Sequence, residues 1–183
     1  MRNIELKARL DAPDRAPEIC GRLGAARQGA IRQTDTYFPV AHGRLKLREN
    51  QPGNTELIHY HRDNASGAKG SDYRIVLASP EMGKLLADAL GVLVTVRKVR
   101  ALWLWHNVRI HLDTVEGLGS FLEFEAVLGG MHDDADGHAK LRTLSDAFGI
   151  EQSDLIAVSY SDLLLGGQGL GGTATCQDIL FSS

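Results

Sequence analysis

The chain holds only two cysteines, Cys20 and Cys176, among its 183 residues. Two thiols cannot build a disulfide framework, and they stand at no metal-ligand spacing, so a reducing cytoplasm is the expected setting. Uninterrupted apolar runs of roughly 20 residues are missing, as is a signal-peptide pattern, so neither membrane insertion nor secretion is expected. An excess of one charge sign is missing too. Lys and Arg number 20 against 23 Asp and Glu, a net charge of -3. Such a balance gives no global attraction to nucleic acid or anionic lipid, and any anion binding has to be local. What remains fits one globular domain of about 100–200 residues with a sizeable core.

Strand patterns dominate what is there. "NIELKARL" (residues 3–10) alternates polar and apolar residues, the signature of a strand whose side chains point to opposite faces. Its polar row mixes an acid with bases. "RQTDTYFPV", "GRLKLREN", "TELIHYHRD", "DYRIVLA", "VLVTVRKVRALWLW", "NVRIHLDTV" and "GSFLEFEAVL" read as seven further strands. "NASGAKGS" reads as the loop of a hairpin, and "VEGLG" as a compact turn. Helices are expected around 13–24, 80–90 and 133–148, with a short last one in "QSDLIAVSYSDLLL". From Gly166 the sequence is Gly-rich and aperiodic, so 1–165 is expected as the domain and 166–183 as a mobile tail.

The strands share more than their periodicity. Arg44, Lys46 and Arg48 lie at spacing two, as do Lys98 and Arg100, then Arg109, His111 and Asp113, then Glu123 and Glu125. Each set is charged on one side and backed by apolar residues on the other. A plain solvent face would mix in more Ser, Thr and Gln. If the sheet closes, these rows line a hydrophilic tunnel and the apolar rows face outward under the helices. His59, His61 and His111 are read as lining or surface groups rather than zinc ligands, and Trp103 and Trp105 as outer-face packing.

"NIELK" resembles the Glu-x-Glu-x-Lys opening of the CYTH superfamily, the triphosphate tunnel metalloenzymes that include class IV adenylyl cyclases and thiamine or inorganic triphosphatases. "DTYF", "GRLKLRE", "ELIHYHR", "KVR", "HLDTVEGLGSFLEFE" and "SYSDLL" follow in the family's order, up to about residue 165. The resemblance implies an α+β fold, a closed antiparallel eight-stranded β-tunnel flanked by helices. It also implies a cytoplasmic enzyme, monomer or homodimer, acting on a triphosphate-containing small molecule, with neither nucleic acid nor membrane as partner.

A polyphosphate taken from water needs compensating charge on nearly every side. Lys7, Arg48, Arg62, Lys98, Arg100 and Arg109 are the expected substrate contacts, with Arg9, Arg44 and Lys46 as weaker candidates near strand ends. Acids in such a channel repel the ligand unless a divalent cation reverses their effect, so Mg²⁺ or Mn²⁺ is the expected cofactor. Glu5, Glu123 and Glu125 are the expected ligands. Asp113 either joins them or orients a bound water or a basic neighbour, and Glu5, Lys7 and Asp113 are the expected catalytic set. One departure stands out: the family's first Glu is Asn3, which accepts through its carbonyl but brings no charge. Hydrolysis of inorganic triphosphate, thiamine triphosphate or a nucleotide, cyclisation of ATP, and non-catalytic polyphosphate sensing all use the same channel and stay open, with hydrolysis preferred.

Overall fold

The computed structural model describes residues 2–61 and 73–166. Strand β1 (Arg2–Arg9) leads through a 3-10 turn (Pro13–Arg15) into α1 (Ala16–Arg22), followed by β2 (Ala26–Phe38), β3 (Arg44–Gln51), β4 (Thr55–Tyr60) and β5 (Tyr73–Ala78). Helix α2 (Glu81–Leu90) precedes β6 (Val94–Trp105), β7 (Val108–Val115) and β8 (Gly119–Leu128), and the described chain ends with α3 (Asp134–Phe148), a 3-10 turn (Gln152–Asp154) and α4 (Tyr160–Gly166). The eight expected strands and the three expected longer helices are all present. The "NASGAKGS" loop and the Gly-rich tail beyond Gly166 lie outside the described residues.

Two elements differ from the sequence pattern for identifiable reasons. Strand β2 begins at Ala26, well before the alternation starts, because its register slips between Arg27 and Gly29 and such a bulge interrupts period two. The last segment is not one helix. Leu155 forms a β-bridge with Ala8, and the Ile156 amide donates to the Lys7 carbonyl at 2.8 Å, so the edge of β1 captures this stretch before α4 can begin.

All eight strands form one antiparallel sheet in the order β1-β8-β7-β6-β2-β3-β4-β5. The expected closed ladder is met in part: no rung joins β5 to β1 among the described residues. The 155–162 segment instead runs from the free edge of β1 to β3, where Arg44 donates to Ser159 Oγ at 2.9 Å and pairs with Asp162 at 3.0 Å.

Helices α1 and α3 cover one face of β1, β8 and β7. Ile4, Leu6, Ala8, Val108, Ile110, Leu122, Phe124 and Ala126 fill that face and meet Cys20, Leu141 and Leu144. The helix sits close because Gly137 offers no side chain: a Cβ there would fall 2.9 Å from Ile4 Cδ1 and 3.0 Å from Leu128 Cδ2. Asp133 caps α3 by accepting from the Asp136 amide at 2.9 Å, and Gly149 ends it in the left-handed conformation. Trp103 and Trp105 pack against this outer core as expected, with Trp105 donating to the Leu23 carbonyl at 3.1 Å. No described helix is long and apolar enough to cross a membrane.

Candidate functional site

Pairing fixes which residues share the opposite face. Glu5 stands opposite Glu125, which stands opposite Arg109; Lys7 stands opposite Glu123, which stands opposite His111. Further across the sheet Arg100 faces Asp113, Gln33 faces Lys98, and Asp35 faces Arg48. The rows expected from period two therefore merge into one charged surface spanning β1, β8, β7, β6, β2 and β3.

Two buried carboxylates organise the cations of this surface. Asp113, 2% exposed, accepts from Arg100 Nε at 2.7 Å and Nη2 at 2.6 Å, and from the Tyr160 hydroxyl at 2.9 Å. Lys98 Nζ reaches the same carboxylate at 3.5 Å. Asp35, 4% exposed, accepts from Arg48 Nε and Nη2, each at 2.7 Å, and from Lys46 Nζ at 2.8 Å. Burial by itself would raise Asp35, but Lys46 and Arg48 hold it far below the usual carboxylate range. Lys98, 7% exposed, moves the other way: burial and then Arg100 push its ammonium down to about 8, against the pull of Asp113 and Asp35. Burial and the adjacent Asp113 carboxylate raise the Tyr160 phenol, so it keeps the proton that it donates.

A second group of acids lies towards β1. Glu123 Oε2 is 3.1 Å from Arg100 and 3.8 Å from Lys7, and these cations keep it ionised although burial opposes that. Glu125 accepts from Arg109 at 3.1 Å, lies 3.4 Å from His111 Nε2 and accepts from the Asn3 amide. The Asn3 substitution thus places a hydrogen-bond donor beside Glu125 where the family's motif has a carboxylate. Among the described residues no three His, Cys, Asp or Glu side chains converge as a metal cage. Mg²⁺ is nevertheless held in many sites by one or two carboxylates, with water and substrate phosphate completing its shell. Glu5 and Glu125 stand directly opposite each other on neighbouring strands.

Of the sequence-derived candidates, Lys7, Arg48, Lys98, Arg100, Arg109, Asp113, Glu123 and Glu125 share this surface, and exposed Glu5 stands at its β1 edge. Arg62 lies outside the described residues. Asp113, expected in the catalytic set as a ligand or an orienting group, contacts Arg100, Lys98 and Tyr160. Lys46, a weaker candidate, is buried on Asp35, whereas Arg9 is exposed with its guanidinium 5.7 Å from the Phe121 ring. Asp35 and Tyr160 escaped sequence reasoning. The lone acid in "QTDTYF" was a usable signal, because it shares a face with Tyr37. Tyr160 lies within the "SYSDLL" motif, but spacing gives it no partner, since only the path of the 155–162 segment brings its ring within 4.5 Å of Lys7 Nζ and 5.2 Å of Lys98 Nζ.

A CYTH-domain profile matches residues 1–160. The chain belongs to the CYTH family. No curated protein matches it significantly in sequence. Its CYTH fold is also found in the PH1012 protein of Pyrococcus horikoshii, with a TM-score of 0.74 at 21% identity over 88% of this chain and 98% of that one. A Vibrio parahaemolyticus protein described as a candidate adenylate cyclase superimposes with a TM-score of 0.73 at 20% identity, covering 90% of this chain and 98% of its own. The Hippeastrum protein HpAC1, described as revealing a dominant triphosphatase activity, gives 0.68 at 18% identity, covering 93% and 98%. At these identities the likeness establishes the CYTH fold and leaves the reaction to be argued from the site.

Proposed function

We propose that this CYTH protein is a divalent-metal-dependent phosphohydrolase that binds the triphosphate of its substrate on the charged surface, within a tunnel formed as the sheet curves around it. One observation carries the reading: Lys7 on β1, Lys46 and Arg48 on β3, and Lys98 and Arg100 on β6 converge on Asp35, Asp113 and Glu123. Five cations gathered in one largely buried cluster can compensate the several negative charges of a polyphosphate as it leaves water. Family membership supports the same substrate class, since CYTH proteins are triphosphatases or adenylate cyclases and generally use divalent metal ions.

Arg48 and Arg100 present planar guanidiniums already oriented by bidentate carboxylates, which suits them to phosphate oxygens. Lys98 supplies a point charge between them, and Arg109 extends the cationic row towards β8. Lys7, between Glu123 and Tyr160, sits where it can orient an attacking water and stabilise charge that develops on the terminal phosphoryl group. Asp113 keeps Arg100 and Lys98 in register rather than meeting the anion. Glu5, Glu123 and Glu125 would hold Mg²⁺ or Mn²⁺, which neutralises phosphate oxygens when bound. Hydrolysis is preferred over cyclisation because Arg48, Lys98, Arg100 and Arg109 serve the phosphate chain, which is all that hydrolysis requires.

The test is turnover of inorganic triphosphate, thiamine triphosphate and ATP, followed as orthophosphate and cyclic AMP, with and without Mg²⁺ or Mn²⁺. Metal-dependent orthophosphate release, lost in Glu123→Gln and Lys7→Met, is expected. Cyclic AMP as the main product would replace the hydrolase reading with the cyclase one. Binding without turnover of any of the three would make the protein a sensor.

A further inference from the structure

Gln33 stands at the centre of the cationic surface, opposite Lys98 on β6 and Asn50 on β3, and is 6% exposed. Its amide orientation is fixed by a relay. The Asn54 carbonyl accepts from Asn50 Nδ2 at 3.0 Å, which turns Asn50 Oδ1 towards Gln33, where it accepts from Gln33 Nε2 at 2.8 Å. Reversing either amide would set two acceptors or two donors against each other. Gln33 Oε1 therefore faces away from Asn50, buried and without a hydrogen-bond partner among the described residues. The neighbouring cations do not serve it: Lys98 and Arg100 are engaged by Asp113, and Arg48 by Asp35. An orphaned buried acceptor is costly, and a ligand that brings a donor to it gains what one lacking a donor forfeits.

We propose that Gln33 is a specificity-determining residue that favours a triphosphate carrying a hydroxyl or amino group over inorganic triphosphate. This rests on the triphosphate reading of the same surface. Inorganic triphosphate offers almost only acceptor oxygens at neutral pH, so it leaves Gln33 Oε1 unpaired against like partial charge. An ester of the triphosphate with a sugar or an amine-bearing heterocycle places donors beside the phosphate chain. Sites built around a polar partner discriminate strongly against analogues that lack it.

The experiment is calorimetric titration of the wild-type chain in EDTA, which removes metal-bound water as a competing donor, with ATP, thiamine triphosphate, tripolyphosphate and methyl triphosphate. Methyl triphosphate matches the charge of ATP, and that of thiamine triphosphate apart from the thiazolium cation, but has no donor on its ester group. ATP or thiamine triphosphate is expected to bind at least about tenfold more tightly than methyl triphosphate, the scale of one well-made hydrogen bond. Gln33→Met should shrink that ratio to about threefold or less through weaker binding of the donor-bearing ligand, with tripolyphosphate affinity unchanged or higher. Asn50→Ala, which frees the Gln33 amide to rotate, should relax the ratio in the same direction and covers the case in which Gln33→Met does not fold. Equal wild-type affinity for the esters and methyl triphosphate overturns the role of Gln33, as does a ratio preserved in the folded variants. Failure of the wild type to bind any of the four probes overturns the triphosphate reading itself.

Discussion

The two faces of this sheet are built from the same strands yet are buried for opposite reasons. On the outer face Ile4, Leu6, Val108, Ile110, Leu122 and Phe124 lie under α1 and α3, and the loss of apolar surface to water drives their burial. On the inner face Asp35, Lys98 and Asp113 are nearly as inaccessible, but there pairing outweighs desolvation at the two carboxylates and returns its cost only in part at Lys98. The outer face is therefore held by apolar burial, and the inner face by the pairing of charges gathered from distant strands. The inner face also carries a smaller apolar cluster of Tyr37, Val96, Val115, Phe121 and Tyr160, the first four spaced by two from Asp35, Lys98, Asp113 and Glu123.

Truncating the outer face should give the largest stability loss. Phe124→Ala, at a fully buried position, is expected to cost about 3–5 kcal/mol in denaturant unfolding. Tripolyphosphate should raise the melting temperature of this variant by the same increment as the wild type, because the anion surface is untouched. Asp35→Asn provides the contrast. Leaving Lys46 and Arg48 without their carboxylate should destabilise by an amount approaching about 3–5 kcal/mol, yet tripolyphosphate should recover more of that loss than it adds to the wild type. Equal ligand-induced shifts in the two variants would erase the distinction between the faces.

The pH dependence tests the same contrast more gently. Folding pushes the Lys98 ammonium down to about 8 from an ordinary 10.5, through burial first and Arg100 second. Between those values the unfolded chain holds more protons than the folded one, so this group makes stability rise with pH across the window. Below about 8 its burial cost is present in full. Lys98→Met should flatten the rise between pH 8 and 10 in unfolding curves, and an unchanged slope would mean that Lys98 is not the group responsible. Asp35 behaves oppositely: its depressed titration stabilises the fold at neutral pH, a contribution lost as pH falls through and below the usual carboxylate range.

The smallest effect is expected at Asn3. Its amide donates to Glu125, a hydrogen bond to a charged group worth about 1.5–3 kcal/mol at most and less at a half-buried site. Asn3→Glu replaces that donor with a second carboxylate, so the metal-free protein should lose a little stability. The Mg²⁺ or Mn²⁺ concentration needed for half-maximal turnover should fall. A variant changed in neither respect would place this end of β1 outside the site.

Much of this was legible in the chain. Period two in "NIELKARL", "GRLKLREN" and "RIHLD" sorts side chains between two faces before any tertiary contact is known, because the pleat of a strand leaves no alternative. Lys7, Arg48, Lys98, Arg100, Asp113, Glu123 and Glu125 followed from that alternation and from family motifs. The extent of β2 did not, since a bulge at Arg27–Gly29 breaks the period. Nor did the fate of residues 155–162, whose pattern suits a helix until the free edge of β1 competes for their backbone groups.

What the sequence determined by itself is thus the membership of each face and the kind of charge upon it, both local properties of spacing. Tertiary structure alone decided who meets whom across strands distant in sequence. It set Arg48 and Lys46 on one carboxylate and Arg100 with Lys98 on another, brought Tyr160 to Asp113, turned Asn3 into a donor for Glu125, and left the Gln33 carbonyl without a partner. Those outcomes depend on register, and register is settled by the packing of the whole sheet beneath its helices, where a slip of one residue would carry every charged side chain to the wrong face.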